Sequence, residues 1–191
     1  MRSHTAGPPP PLTVSRKELL INGSDVQFRK LVHDLFGFLA RHEAIRSGHA
    51  KIIGLMGIEY TILISIAHLA SLAPVNIKAV ATHLHVSATF VTRMIKKLEQ
   101  IGFVKKTASP EDKRSVHLTL TSRGMRALTH LAPHQRRVND IEFGTLSARE
   151  FTVLVGLTER LVTSSERALE LQQQLRKDGR KSRRPDGRST G

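Results

Sequence analysis

Hydroxyl and cationic side chains are concentrated in the stretch SATFVTRMIKKLEQI, which begins at Ser87. Its hydroxyl residues, its arginine and its two lysines are Ser87, Thr89, Thr92, Arg93, Lys96 and Lys97. A guanidinium can donate two hydrogen bonds to O6 and N7 of guanine, and hydroxyls can contact other base edges. Lysines more often bind phosphates, which positions a protein without reading sequence. These residue types therefore suit a surface that binds nucleic acid, with Arg93 as the strongest candidate for reading a base.

A helix from Ser87 to about Ile101 would present these side chains on one face. Its opposite face would be apolar and buried, because Val91, Met94, Ile95 and Leu98 recur at helical spacing. Ser87 can cap the first turn, and Gly102 can end the helix as a left-handed C-cap. Phe90 either contacts a thymine methyl group or belongs to the core.

Further elements surround this helix. A short amphipathic helix is predicted from Asn76 to His83, with a tight break at residues 84–86. Two strands, 103–107 and 115–120, are joined by a polar turn, and this hairpin is called the wing. Its cations are Lys105, Lys106, Lys113 and Arg114. The sequence therefore predicts a mainly α protein with a small β-hairpin (α+β), a winged helix-turn-helix whose second helix enters a DNA major groove.

The stretches VATHLHVSATFVTRMIKKLEQIGFVKK and SPEDKRSVHLTLTSRG together resemble the MarR family of bacterial transcription regulators. The resemblance rests in part on Asp112 and Arg114 of the wing and on the Leu-Thr-x-x-Gly exit that ends at Gly124. It implies that Arg114 or Lys113 enters a minor groove, where a narrow A/T-rich stretch attracts cations. Asp112 would orient Arg114, because phosphate repels a carboxylate. A solvated polar turn is the alternative.

The resemblance also implies a two-fold homodimer in which the terminal helices of two subunits interlace. The same arrangement is favoured because these helices are too long and too apolar to be covered by one winged module. Two modules would read a pseudo-palindromic site in double-stranded DNA, with half-sites about one helical turn apart. The chain is predicted to have three parts: a mobile arm at 1–22, a domain at 23–175 and a disordered basic tail at 176–191. Within the domain, the winged module spans 55–124 and the dimerisation helices span 24–50 and 121–175.

Composition agrees with a nucleic-acid partner. The chain has 191 residues, no cysteine and a formal net charge of +14. Ten cations and three acids lie between Lys78 and Arg126, and seven cations and two acids lie from Arg176 onward. Positive charge concentrated in the winged module and in the tail favours a polyanionic partner. The tail by itself can equally be a solvated segment. The lack of cysteine excludes disulfides and thiol-based redox sensing, and it suits a reducing cytoplasm.

The flanking helices show characteristic start and stop signals. A first helix is predicted from Ser24 to Ser47. The apolar segment 52–73 is long enough to suggest a membrane span, but Glu59 and His68 are costly in hydrocarbon, so a buried helix at 58–72 is favoured. After the wing, Thr121 caps a helix that Pro133 must kink or restart. A capping box at 147–150 begins the last helix, which is predicted to end near residue 175.

A ligand site is predicted where the apolar stripe of the first helix becomes polar. Its candidate residues are His42, Arg46, His49 and His68. An arginine beside apolar surface suits a carboxylate, and the resemblance implies a small phenolic or aromatic acid that releases the protein from DNA. The alternative is that Arg46 pairs with Glu43 or Glu59. A zinc site built from His42, His49 and Glu59 is a third possibility, although no close His-x₃-His pair stands on a helix.

The leading functional hypothesis is a dimeric, ligand-responsive repressor that binds a specific DNA sequence. The rival is an architectural winged helix that binds nucleic acid without sequence preference. An enzyme is not expected, because the sequence contains no phosphate loop, no metal-ligand pair at helical spacing and no nucleophile beside an evident base. No cofactor is predicted.

Overall fold

The computed structural model describes residues 10–108 and 116–181. It confirms the predicted fold class, since helices predominate and the sheet is a two-stranded antiparallel hairpin. The chain divides into two compact units, Met1–Val138 and Asn139–Gly191, which are treated separately. In chain order the helices and strands are α1 (Val26–Ile52), α2 (Gly57–Ala70), α3 (Ile77–Leu84), α4 (Ala88–Ile101), β1 (Val104–Ala108), β2 (Val116–Leu120), α5 (Ser122–Phe143) and α6 (Ala148–Lys181).

Helix α2 is the centre of the hydrophobic core in the first unit. Its apolar side chains are buried together with those of α4, β2 and α5. The fully buried members include Ile62, Leu63, Ile66, Val91, Ile95, Leu98, Leu118 and Leu131. Among the described helices, none is long and apolar enough to cross a membrane by itself, and α1 with α2 meets that criterion only as a pair bent by 87°.

Local capping signals place the helix-turn-helix. The Asn76 side chain accepts a hydrogen bond from the Ala79 amide at 2.8 Å and so begins α3. His85 takes the left-handed conformation, with φ 53°, at the break. Ser87 accepts a hydrogen bond from the Phe90 amide at 3.2 Å, and Gly102 ends α4 with φ 78°. Both predicted caps of α4 are therefore confirmed.

The hairpin lies close to its predicted position. Each strand begins one residue later than expected, and Val104 pairs with Leu120 while Ala108 pairs with Val116. The Leu118 amide also donates to the Val75 carbonyl at 2.8 Å, which attaches β2 to the segment before α3. The turn at 109–115 lies outside the described residues.

The predicted end of the first helix is wrong, and of the two effects predicted for Pro133, a kink or a restart, the restart does not occur. Helix α1 continues to Ile52, so His49 lies inside the helix and not past its end. The break comes instead at Gly54, which has φ 73°. Helix α5 runs without a restart through Pro133. Leu131 is buried before the proline and Gln135 donates to the Tyr60 hydroxyl after it, at 2.6 Å, so tertiary contacts hold the turns on both sides.

The ends of the described chain are more ordered than predicted. Residues 176–181 belong to α6, although they were predicted to be part of a disordered tail. Near the other end, the amide and hydroxyl of Thr13 donate to Asp25 Oδ2 at 2.8 and 2.7 Å, and Arg29 pairs with Oδ1 at 2.6 Å. These hydrogen bonds from Thr13 lower the pKa of Asp25. The predicted mobile arm is therefore tied to the start of α1 from Thr13 onward.

Candidate nucleic-acid interface

Helix α4 separates its polar and apolar side chains onto two faces, as predicted. Val91, Met94, Ile95 and Leu98 are buried, whereas Ser87, Thr89, Thr92, Arg93 and Lys96 are exposed. The Ser87 oxygen caps the helix, and the Thr92 hydroxyl donates to the Ala88 carbonyl at 2.9 Å. Because a hydroxyl oxygen has two lone pairs, Thr92 can still accept a hydrogen bond from outside.

Arg93 is held over an aromatic ring. Its guanidinium carbon lies 5.5 Å from the centroid of the Phe90 ring, within the range of a cation–π contact. Phe90 is half-buried and packs against the core, which agrees with the core alternative for this residue. The stacking itself was not predicted, although the three-residue separation on a helix is the signal that would have found it.

The four lysines predicted to bind phosphate have different surroundings. Lys96 and Lys105 are exposed. Lys97 Nζ lies 3.5 Å from Glu59 Oε1, and Lys106 Nζ lies 2.6 Å from Glu99 Oε2. Among the described residues, therefore, two of the four lysines have no carboxylate partner and can approach a polyanion directly, while the other two are already paired.

The wing tip contains three of the predicted contact residues. Asp112, Lys113 and Arg114 lie outside the described residues, so their roles stay predictions.

Arg123 is a further cation near the wing, and it was not among the predicted contact residues. Its guanidinium carbon, at the start of α5, lies 5.7 Å from the Phe103 ring centroid.

The predicted ligand residues form only a partial cluster. Arg46 Nη2 donates to the Thr61 hydroxyl, and Nη1 lies 3.4 Å from Glu43 Oε2. The buried Nε of Arg46 has no acceptor among the described residues. His49 is buried, with its ring centroid 6.3 Å from that of Tyr60 in an edge-on arrangement. Burial raises the pKa of Tyr60, while the nearby charge of Arg46 and the hydrogen bond from Gln135 oppose this shift.

The other two predicted ligand residues, His42 and His68, have different surroundings: His42 lies one turn before Arg46 on α1, whereas His68 is on α2. His42 stacks on Phe38, with ring centroids 5.7 Å apart. His68 is exposed in the last turn of α2, about 10 Å along the helix from Thr61, and its ring lies 5.8 Å from that of His83. The structure therefore keeps Arg46 and His49 near each other and separates His68 from them, because the exposed end of α2 faces α3.

No metal site is found in the described part of the chain, where no group of three or more His, Cys, Asp or Glu side chains could hold an ion. Glu59, which the zinc alternative required, accepts a hydrogen bond from the Met56 amide at 3.0 Å and pairs with Lys97. The zinc alternative thus has no support from these residues.

Solved structures share this fold. The transcriptional regulator SlyA is 18% identical with a TM-score of 0.61, over 74% of this chain and 97% of its own. A mutant of MarR from E. coli, crystallised with operator DNA, is 20% identical with a TM-score of 0.57, over 71% of this chain and 94% of its own. At these identities the similarity concerns the fold.

Sequence comparison points to the same group of proteins. An uncharacterized HTH-type transcriptional regulator of Bacillus subtilis (strain 168), YdcH, is 30% identical over 84 residues, which are 44% of this chain and 56% of the relative. The chain thus spans little more than half the length of this curated relative. Residues 59–116, which include α3, α4 and β1, match the model of the MarR family. Residues 59–116 are thus similar to the MarR family, and 74% of the chain shares the winged helix-turn-helix fold of SlyA.

Proposed function

We propose that this protein is a transcription regulator that binds a specific DNA sequence through α4. The observation that carries the proposal is the exposed face of α4, where hydroxyls, Arg93 and Lys96 stand above a buried apolar stripe. A helix of this kind in a helix-turn-helix can enter the major groove. The complex of E. coli MarR with operator DNA, which has the same fold, supports this choice of partner.

The proposed regulator acts as a homodimer. In the first unit, α1 exposes a row of large apolar side chains: Leu31, Leu35, Phe36 and Leu39. In the second unit, α6 exposes Phe151, Leu154, Val155, Leu161, Val162, Leu169 and Leu175. Burying one such side chain is worth about 1.5–3 kcal/mol, so a second copy of the chain that covers these faces would be strongly stabilised. A two-fold dimer carries two copies of α4, which implies a pseudo-palindromic operator.

Replacing Leu39, which is 57% exposed, with glutamate should convert the dimer into a monomer. Two-fold symmetry introduces the charge twice, so the dissociation constant of the dimer should rise by about two orders of magnitude or more. Sedimentation equilibrium measures this change. The matched control is Leu72→Glu, because Leu72 is 73% exposed and lies outside α1 and α6. Unchanged dimerisation of Leu39→Glu, or equal dissociation of both variants, would contradict the proposed interface.

Selection of bound duplexes from random DNA tests the function itself. The expected result is a pseudo-palindromic motif with half-sites about one helical turn apart, bound about 10³-fold or more tightly than random duplex. An architectural winged helix would instead coat all duplexes alike, with no enriched motif. That outcome would reject the proposed regulator and support the architectural function.

A small aromatic or phenolic acid is proposed to release the repressor from its operator by binding at Arg46. The guanidinium is partly accessible and touches Glu43 weakly, at 3.4 Å, so an incoming carboxylate can replace that partner. The buried hydroxyl of Tyr60 is near enough to feel the charge of Arg46, and the ring of His49 packs edge-on against Tyr60. A charge-assisted pair of hydrogen bonds between guanidinium and carboxylate would orient such a ligand.

Arg46→Gln should weaken binding of a hydroxybenzoic acid by roughly 10- to 150-fold, because hydrogen bonds to a charged group contribute about 1.5–3 kcal/mol. Isothermal titration with a panel of aromatic carboxylates measures the effect, and operator release measured by fluorescence anisotropy should shift to higher acid concentration by the same factor. Arg41→Gln is the matched control, since Arg41 lies on the exposed part of the same helix. Equal affinities for Arg46→Gln and the unmodified protein would place the effector elsewhere.

A further inference from the structure

Three consecutive buried polar residues occupy the first turns of α2, a helix that is otherwise largely apolar. Glu59, Tyr60 and Thr61 are 6%, 1% and 9% exposed. Each contacts a different helix, and the partners are Lys97 of α4, Gln135 of α5 and Arg46 of α1. The start of α2 is therefore where polar contacts from the three neighbouring helices converge.

The carboxylate of Glu59 is the charged member of this group. Its Oε2 accepts a hydrogen bond from the Met56 amide at 3.0 Å, and its Oε1 lies 3.5 Å from Lys97 Nζ. Removing a carboxylate from water costs several kcal/mol unless charged or hydrogen-bonded partners compensate. The side chain of Lys97 is 44% exposed, and its stem extends toward α2 to provide that compensation.

We infer that Lys97 is a positioning residue, whose ammonium group holds α4 against α2 through Glu59, and that it does not bind phosphate as its neighbour Lys96 does. The inference rests on the proposed DNA binding for its functional consequence. Lys96 differs from it in being exposed without an ion pair to any residue that the structure describes.

The ion pair between Glu59 and Lys97 differs in kind from the other contacts between α2 and α4. Those contacts are made by apolar side chains such as Val91, Ile95 and Leu98. Apolar contacts are non-directional and tolerate small rotations of one helix on another. An ion pair between two fixed positions restricts that rotation, and the angle of α4 decides which base edges Arg93 can reach.

Salt dependence separates a positioning lysine from a phosphate ligand. Affinity for the selected operator and for random duplex would be measured at several KCl concentrations. Lys96→Met should weaken both duplexes and lower the slope of log K against log salt by about 0.9, as expected when one phosphate contact is lost. Lys97→Met should leave that slope unchanged and weaken the operator alone, by roughly tenfold.

Glu59→Gln should reproduce the effect of Lys97→Met, although residue 59 is buried away from DNA. The double variant should be no weaker than either single variant, because both changes remove the same interaction. A slope that falls by about 0.9 in Lys97→Met, or losses from the two single variants that add in the double, would overturn the inference.

A measurement without DNA keeps this inference separate from the proposed function. The chain has no native cysteine, so nitroxide labels can be attached to cysteines introduced at Ala70 and Gln100, both exposed. The distribution of distances between the labels should be broader in Glu59→Gln than in the unmodified protein and in Lys96→Met. Identical distributions would overturn the positioning role even if operator binding is confirmed, whereas a failure to bind any operator would reject the proposed function alone.

Discussion

Arg93→Ala should weaken binding to the selected operator by about 1–3 kcal/mol, or roughly 5- to 150-fold in Kd, and should relax the base preference at one position of each half-site. The guanidinium is exposed on α4 and stacks on the half-buried ring of Phe90. The ring restricts the orientation of the guanidinium before DNA binds, so less side-chain entropy is lost when it forms two hydrogen bonds to a guanine.

Lys96, exposed on the same helix, provides the control for Arg93. Lys96→Ala should weaken operator and random duplex alike, because a phosphate contact carries no sequence information. Binding would be measured by fluorescence anisotropy on the operator, on variants with each base changed, and on random duplex. The base-reading role of Arg93 would be rejected if Arg93→Ala lowered the affinities for operator and random duplex by the same factor.

Conservative variants then separate charge from geometry. Arg93→Lys keeps the positive charge but cannot form the two parallel hydrogen bonds, so it should lose most of the base preference while its salt dependence stays unchanged. Phe90→Leu keeps an apolar side chain against the core and removes the ring under Arg93. Phe90→Leu should weaken operator binding by about 0.5–1 kcal/mol, the value of a cation–π contact at an exposed site, because Arg93 is then no longer held in position before DNA binds. Fluorescence anisotropy on the operator measures this loss.

Gly124→Ala should lower the free energy of unfolding by about 1–3 kcal/mol and the melting temperature by roughly 2–12 °C, because overpacking forces the backbone to move. A Cβ atom at position 124 would lie 2.2 Å from the carbonyl oxygen of Phe103. That carbonyl accepts a hydrogen bond from the Thr121 amide at 2.9 Å, which joins the start of α5 to the wing. Displacing the carbonyl therefore disturbs the wing as well as the helix.

Gly156→Ala is the matched control for this substitution. Gly156 lies within α6, and a Cβ atom there would meet nothing within 4 Å. Alanine should therefore stabilise the helix by about 0.5–1 kcal/mol, since glycine loses more conformational entropy on folding. Thermal unfolding followed by circular dichroism measures both variants. Similar stability changes in the two variants would show that the contact with Phe103 is not what requires glycine at position 124.

Features that depend on neighbouring residues were predictable from the sequence. The Ser87 cap, the glycine at position 102 and the capping box of Ser147 and Glu150 were all predicted and are all confirmed. Each requires partners within about four residues, so the spacing of residue types is sufficient to identify it. The apolar stripe of α4 was predictable for the same reason.

Helix length was less predictable, because it depends on contacts beyond the helix. Pro133 is a helix breaker by its local chemistry, yet α5 continues through it. The buried Leu131 and the bond between Gln135 and Tyr60 offset the missing hydrogen bond. The sequence alone contains no measure of these compensating contacts.

Local periodicity and capping residues were therefore enough to predict the winged helix-turn-helix and the two faces of α4. Sequence motifs were enough to predict the similarity of residues 59–116 to the MarR family. Differences between side chains of the same type depend on tertiary packing, which the sequence does not reveal. This packing pairs Lys97 with Glu59, leaves Lys96 exposed and separates His68 from Arg46. The physical reason is that adjacent residues on a helix point about 100° apart, so the packing of α2 against α4 decides which lysine meets a buried carboxylate and which faces solvent.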